Sequence, residues 1–361
     1  MRDMYHMGTD AALFDIAEET VERASHAALT YPRSRSESLM IIDARCRLTT
    51  EKDSEYFRKQ TQKSGMFGRI AAFQDNTEEK FFSEVGESGV TTAISVSGNN
   101  PGMKLGYKEL PNRTTSNDMM AEVQKRHWGR FIGVAGIDAG GVYHEPVQEI
   151  RRCAQMGLRA VFIEPGRSPG CDLDDRRLYP IYEECVKLDL TLIPQTSGPL
   201  GGKNIDYANP VHIERVCEDF PDLRIICGHG HYPYVREIIT VATRRDNIYL
   251  SPDVYLRMLG REDWIEAING NYRAYFGNYG IADRFVFASA YPLFDLKDYV
   301  RFFFSLPWKR EVLNRILYKN ALHALKLEDD PTFRKMYKLD LPDEEVDPTP
   351  AFIKAERGRA A

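Results

Sequence analysis

Apolar residues along this chain fall into short continuous runs, and the stretches between the runs carry helical spacing. "LMIIDARCRL" (39–48), "VTTAISVSG" (90–98), "RFIGVAGID" (130–138), "RAVFIEP" (159–165), "LTLIPQTSG" (190–198), "LRIICGHGH" (223–231), "NIYLSPDVY" (247–255) and "RFVFASAYP" (284–292) read as eight strands. Continuous rather than alternating apolarity is expected of strands buried on both faces. Helices are predicted between them: 115–127, capped by Ser116 or Asn117; 144–157, stopped by Gly157; 173–189, with Pro180 at a bend or in the first turn; 210–222, begun by Pro210; 233–246; and 262–272. A further helix is predicted over 310–327, and residues 53–85 read as a long excursion carrying one or two helices.

Strands that alternate with helices in this way predict a parallel sheet closed into a (β/α)8 TIM barrel over residues 39–328. Residues 10–28 have helical spacing, so 1–38 reads as a helical extension, and the charged, proline-containing 329–361 reads as a tail. The competing open, doubly wound sheet is weakened by the lack of a G-x-G-x-x-G or phosphate loop after any strand.

Composition excludes several function classes. The chain has 361 residues, 43% hydrophobic and 28% charged, with net charge −5. Lys and Arg are spread along it, which argues against a nucleic-acid partner. No apolar run approaches a membrane span, and the N-terminus lacks a signal-peptide core, so a cytoplasmic location and no membrane partner are expected. The six cysteines form no C-x-x-C pair and read as reduced core thiols.

Chemistry in such a barrel sits at the carboxyl ends of the strands. Strand one ends in Arg45 and Arg47, two positions apart on one side of a strand that should be internal. Strand four gives Glu164 and then Arg167; strand five gives Gln195. Strand six ends in "GHGHYP" with His229 and His231, strand seven gives Asp253 and Tyr255, and strand eight gives Ser289, Ala290 and Tyr291.

These motifs resemble the amidohydrolase superfamily, specifically the amidohydrolase-related family that includes ACMS decarboxylase, resorcylate-type decarboxylases and pyrone-dicarboxylate lactonase. The resemblance runs over residues 40–327. "RFIGVAGIDAG" is similar to the family's "RF.G.A.V.P" strand and "MGLRAVFIEPG" to its "G..G..L.P" strand. "FPDLRIICGHGHYPYV" is close to "FPDL.I...HGG.P", "NIYLSPDVY" to "N.Y.D.S", and "YKNALHAL" to the closing "G.NA..LL" helix.

Family members hold a divalent metal with H-x-H after strand one, histidines after strands five and six, and the aspartate of "GSD.P" after strand eight. Here those positions read Arg45-Cys46-Arg47, Gln195, His229 and Ala290, so only one ligand type survives. Arginine stays protonated and cannot bind a cation. The expectation is therefore a degenerate metal site and no cofactor, with Arg45 and Arg47 binding a substrate carboxylate or developing oxyanion.

His229 is the expected acid/base. Asp253 is expected as its proton acceptor or as an arginine partner. Glu164 is a candidate general base or an ion-pair partner of Arg45. Gln195 and Tyr291 are candidate substrate donors, and His231 either extends the site or faces solvent. Structural pairing of the arginines with Asp43, Glu164 or Asp253 is the plain alternative for both.

The resemblance implies hydrolysis or C–C bond cleavage on a small anionic, carboxylated aromatic or lactone-like substrate. A homo-oligomer is expected by analogy. The rival class is a pseudoenzyme, a barrel that binds an anionic ligand or partner without turnover.

Overall fold

The computed structural model describes residues 40–50, 54–269 and 281–360. The helix expected over 10–28 lies outside them. Seven parallel strands pair in chain order: β1 (Ile42–Cys46), β2 (Thr92–Ser95), β3 (Phe131–Ile137), β4 (Ala160–Ile163), β5 (Thr191–Pro194), β6 (Ile225–Gly228) and β7 (Ile248–Ser251). Every residue in them is buried, as their unbroken apolarity predicts.

The eighth run, expected as a strand, closes the barrel without forming a regular ladder. Its backbone accepts from and donates to Leu250 of β7 and meets Ala44 and Arg45 on the β1 side. Two of its donors are committed elsewhere: Phe287 N–H goes to Ile316 O (2.9 Å), and Ser289 N–H goes to the Asp43 carboxylate (3.0 Å). Those two bonds explain why only a single bridge, Leu250 to Phe285, has ladder geometry.

The predicted helices form the outer layer. Asn117–Arg126 is capped by Ser116, whose hydroxyl accepts from Met119 N–H (3.2 Å). Pro146–Gln155 is capped by Glu145 and followed by Gly157 at φ +91°, a conformation glycine adopts without strain. Tyr179–Lys187 carries Pro180 in its first turn, and Pro210–Asp219 begins on its proline. Val235–Arg244 and Arg261–Ile268 complete this series. The excursion after β1 holds helices Ser54–Lys63 and Glu78–Glu87.

Two features had no clear sequence signal. Residues 99–114 form two small antiparallel ribbons, Asn99–Asn100 with Arg113–Thr114 and Met103–Leu105 with Lys108–Leu110. Leu296–Ser305 is a helix capped by Asp295. The C-terminal segment packs against the barrel: Phe333, Tyr337, Val346 and Ile353 are buried in the main core, and Tyr337 Oη lies 2.6 Å from Thr92 Oγ1. None of the described helices is long and apolar enough to cross a membrane.

Candidate active site

The strand ends gather a buried charge cluster inside the barrel mouth. Pairing of β1 with β2 slips between Asp43 and Cys46, which places extra backbone beside Arg45. A bulge of this kind re-aims the side chains that follow it. The Arg45 side chain is 1% exposed and reaches across to β6 and β7. Its Nε lies 3.1 Å from Asp253 Oδ2, close enough for an ion pair but not aligned for a hydrogen bond. Its Nη2 lies 3.1 Å from His229 Nε2, and its Nη1 has no hydrogen-bond partner.

Gly228 makes this crossing possible. A Cβ on Gly228 would fall on Nη1 and Cζ of Arg45, so β6 has to be bare at that point.

Asp253 completes a triangle, with its Oδ1 2.7 Å from His229 Nδ1. The geometry fixes the tautomer: Nδ1–H donates to Asp253, and Nε2 accepts from Arg45, which has only donors. Burial, and then the Arg45 charge, push the imidazole down to about 4, against the pull of Asp253. His229 is therefore neutral near pH 7. Burial alone would raise the Asp253 carboxyl, but His229 and Arg45 outweigh it and hold the group below its ordinary value.

His229, His231, Asp253 and Ala290 all have positive φ, at 74°, 55°, 39° and 59°. Left-handed backbone costs a non-glycine residue roughly 1–2 kcal/mol. Four such residues at adjacent strand ends concentrate strain around this cluster.

Glu164 anchors a second group. Its Oε1 lies 2.7 Å from Arg167 Nη1 and 3.9 Å from Arg113 Nη1, and its Oε2 accepts from Asn100 Nδ2. Gly98 leaves room for this carboxylate. Burial opposes its ionisation, but Arg167 and then Arg113 hold Glu164 below its ordinary value. Glu164 thus pairs with Arg167, not Arg45.

Arg47 belongs to neither ion-paired group, although its charge is felt at Arg45 and His229. Its Cζ sits 4.2 Å from the Phe57 ring centroid, its Nε is buried without a hydrogen-bond partner, and no carboxylate among the described residues is within ion-pair range. Burial, followed by the charges of Arg45 and Arg113, pushes the guanidinium well below its ordinary value. Asp43 pairs with neither guanidinium. Its oxygens accept from Ser289 Oγ and the N–H groups of Ser289 and Arg45, and burial raises its carboxyl to about 6.

The remaining candidates spread out. Gln195 Oε1 accepts from Ser197 N–H (3.0 Å). His231 is fully buried with Nδ1 2.8 Å from Ala208 O and Nε2 unpartnered; burial pushes it to about 4. Tyr291 is placed against Phe81 and Glu84 of the outer helix Glu78–Glu87, not among the arginines. Arg113, Phe57 and Gly228 were missed as site residues. Arg113 lies on a two-residue strand, too short to leave a periodic signal. Tyr255 forms one wall, edge-on to His229 and stacked 4.5 Å from Tyr232. A surface cleft of about 340 Å³ lined by Asp174, Arg176 and Arg215 lies between outer helices and is separate from this cluster.

Comparison with known proteins bears on these residues. The profile of the amidohydrolase family matches residues 95–327. A TIM-barrel protein of uncharacterised function from Bordetella bronchiseptica is 32% identical, covering 80% of this chain and 98% of that one with a TM-score of 0.65. A 2-amino-3-carboxymuconate-6-semialdehyde decarboxylase from Dictyostelium discoideum is 38% identical over 73 residues, so the match spans only 20% of that relative's length. A dihydroxybenzoic acid decarboxylase from Polaromonas sp. JS666, crystallised with manganese and 2-nitroresorcinol, shares the fold at 17% identity, covering 82% of this chain and 99% of that one with a TM-score of 0.54.

That manganese-bound structure corrects the expectation that the barrel takes no cofactor: in that relative a metal accompanies the fold, and the replacements at Arg45, Arg47, Gln195 and Ala290 do not establish that a cofactor is lacking. The described side chains of this chain do not themselves fit a divalent ion. No group of 3 or more His, Cys, Asp or Glu among them could hold one, and the Arg45 guanidinium occupies the space beside His229 and Asp253. With the family profile spanning most of the barrel and a 32% identical barrel aligned along nearly its whole length, the chain belongs to the amidohydrolase family.

Proposed function

We propose that the chain is an enzyme acting on a small carboxylated aromatic or lactone-like compound, by hydrolysis or by C–C bond cleavage with loss of carbon dioxide. The observation that carries this reading is Arg47, a buried guanidinium without an acidic partner among the described residues, whose charge is felt by the Arg45–His229–Asp253 triangle. An unpaired buried charge costs several kcal/mol, and a bound carboxylate offsets that cost. The decarboxylase names of the relatives supply the substrate class.

Arg47 and the unpartnered Nη1 of Arg45 hold the substrate anion. As Arg45 turns toward the anion it loosens its hold on His229 Nε2, and that lone pair becomes available. In hydrolysis, Nε2 takes the proton of the attacking water while the guanidinium groups stabilise the oxyanion. In decarboxylation, Nε2, unprotonated at rest, first takes a proton from water or a substrate hydroxyl and then delivers it to the carbon bearing the carboxylate; the C–C electron pair returns to the substrate as carbon dioxide leaves. Asp253 retains Nδ1–H throughout and stabilises the imidazolium. Glu164 acts as a positioning residue that holds Arg167. Gln195, with its oxygen spent on Ser197, keeps an amide N–H for substrate.

Binding without turnover has one observation in its favour: Ala290 supplies no carboxylate at the end of the eighth run. A turnover screen with aromatic carboxylates and lactones, following carbon dioxide release and ring absorbance, separates the two readings. Turnover is expected, with His229→Asn losing about 10²–10⁴ in kcat and Arg47→Met acting mainly on KM. Ligand binding with no turnover of any compound would overturn the catalytic reading.

A further inference from the structure

We infer that Arg113 and Arg47 together form a second anion subsite, so that the substrate carries two separate anionic groups; this rests on the reading of the site given above. Buried charges in a closed space need counter-charges. Four guanidinium groups, those of Arg45, Arg47, Arg113 and Arg167, are each buried at the barrel mouth. Two have close carboxylate partners: Arg45 has Asp253 at 3.1 Å and Arg167 has Glu164 at 2.7 Å. The other two have none as close among the described residues. Arg47 has none there, and Arg113 has only Glu164 Oε1 at 3.9 Å, on an oxygen already taken by Arg167.

The remaining acidic group of β1, Asp43, does not neutralise them, because its oxygens are committed to Ser289 and to the Arg45 backbone. His229 is neutral in its hydrogen-bonded tautomer. Among the described residues, two positive charges are therefore left over.

The two surplus groups share one aromatic side chain. The Cζ atoms of Arg47 and Arg113 lie 4.2 and 5.5 Å from the Phe57 ring centroid, and Arg113 also lies 5.8 Å from Tyr56. Cation–π contact offsets part of the cost of burial but leaves the charge itself uncompensated. A monoanion shared by Arg45 and Arg47 would neutralise one of the two and leave Arg113 buried without a counter-charge. A second carboxylate on the same molecule, on the Phe57 side, neutralises both. Arg113 stands on the Asn99–Thr114 ribbon, so the insertion between β2 and the following helix selects for dianions.

Calorimetric titration with benzoate, benzene-1,3-dicarboxylate and phenyl phosphate tests this on the full chain. The dicarboxylate should bind at least tenfold tighter than benzoate, about 1.4 kcal/mol. Phenyl phosphate, whose charge is on one group, should gain less. Arg113→Met should bring the dicarboxylate down to the benzoate level, and Arg113→Lys should keep part of the preference. Benzoate binding to the variants reports that they are folded. Equal binding of benzoate and dicarboxylate to the wild type, with both lost in Arg45→Met, would overturn the second subsite and leave the anion site standing. If none of the three probes binds the wild type, both readings fall.

Discussion

Replacing Arg45 by methionine removes the guanidinium that donates to His229 Nε2 and keeps an unbranched side chain. His229 is held at about 4 in the intact site. Relative to an ordinary imidazole near 6.5, that is roughly 3 kcal/mol against the protonated form. Burial supplies the largest share and Arg45 the next. A unit charge at the 3.1 Å separation of Nη2 and Nε2 opposes imidazolium by roughly 5 kcal/mol at an effective dielectric constant of about 20. Asp253, at 2.7 Å, pulls the other way by a similar amount on the same reckoning, so burial is the largest net contribution.

In Arg45→Met the repulsion is gone, and Asp253 has one cationic partner to stabilise in place of two. His229 should therefore titrate at least about one pH unit higher, at about 5 or above. Long-range ¹H–¹⁵N spectra of histidine-labelled protein read this directly. In the wild type Nε2 keeps the shift of an unprotonated nitrogen from pH 8 down to about 5. In the variant its protonation should begin within that range. Titration of His229 at the same pH in both proteins would refute the claim that Arg45 governs its lone pair.

Three further outcomes follow from the same geometry. Gly228→Ala puts a Cβ on the Arg45 guanidinium; it should cost about 1–3 kcal/mol in urea unfolding and raise the His229 titration as Arg45→Met does, whereas a silent substitution contradicts the crossing of Arg45 over β6. Glu164→Gln leaves Arg167 without its buried counter-charge, so a loss of about 3–5 kcal/mol is expected; Arg167 Nε and Nη2 also donate to Leu200 O at 3.2 and 3.1 Å, and a loss well under that range would show that these bonds hold it instead. His231, held at about 4 when folded, binds its proton first in the unfolded chain, so its contribution to stability is lost as pH falls from about 6.5 toward 4, at about 1.4 kcal/mol per pH unit. His229 acts in the same sense and Asp43, raised to about 6, in the opposite one. His231→Gln should therefore show a shallower fall in urea midpoint over that range than the wild type, and identical slopes would contradict a buried neutral His231.

The sequence made the barrel legible because burial on both faces leaves a plain mark, an unbroken apolar run, and each helix between the runs carried its own stop or start in Gly157, Pro210 or Ser116. The eighth run carried the same mark, but its regularity was decided by Asp43 and Ile316, which take its donors from far along the chain. The meeting of side chains was legible where strand ends carry polar residues in a motif, as with Arg45, His229 and Asp253. Which carboxylate meets which arginine was not, because that pairing depends on side-chain reach across the barrel: Glu164 turned to Arg167 and Asp253 to Arg45. Arg113 could not be foreseen, since a two-residue strand has no period, and Tyr291 was misplaced because its position after strand eight does not say which way the phenol turns. The expectation of no cofactor shows the limit of reading ligands from one chain: Arg45 and Arg47 are unsuited to a metal, yet a manganese-bound barrel shares the fold.

The central claim is that Arg47 and Arg45 receive a substrate carboxylate beside His229. A crystal structure of the protein soaked with benzene-1,3-dicarboxylate tests it most directly. The account predicts carboxylate oxygens at about 2.7–2.9 Å from the Arg47 guanidinium, with Arg45 drawn toward the ligand and away from His229 Nε2. A ligand seated elsewhere, with Arg45 still on His229 and Arg47 still on Phe57 alone, would contradict it.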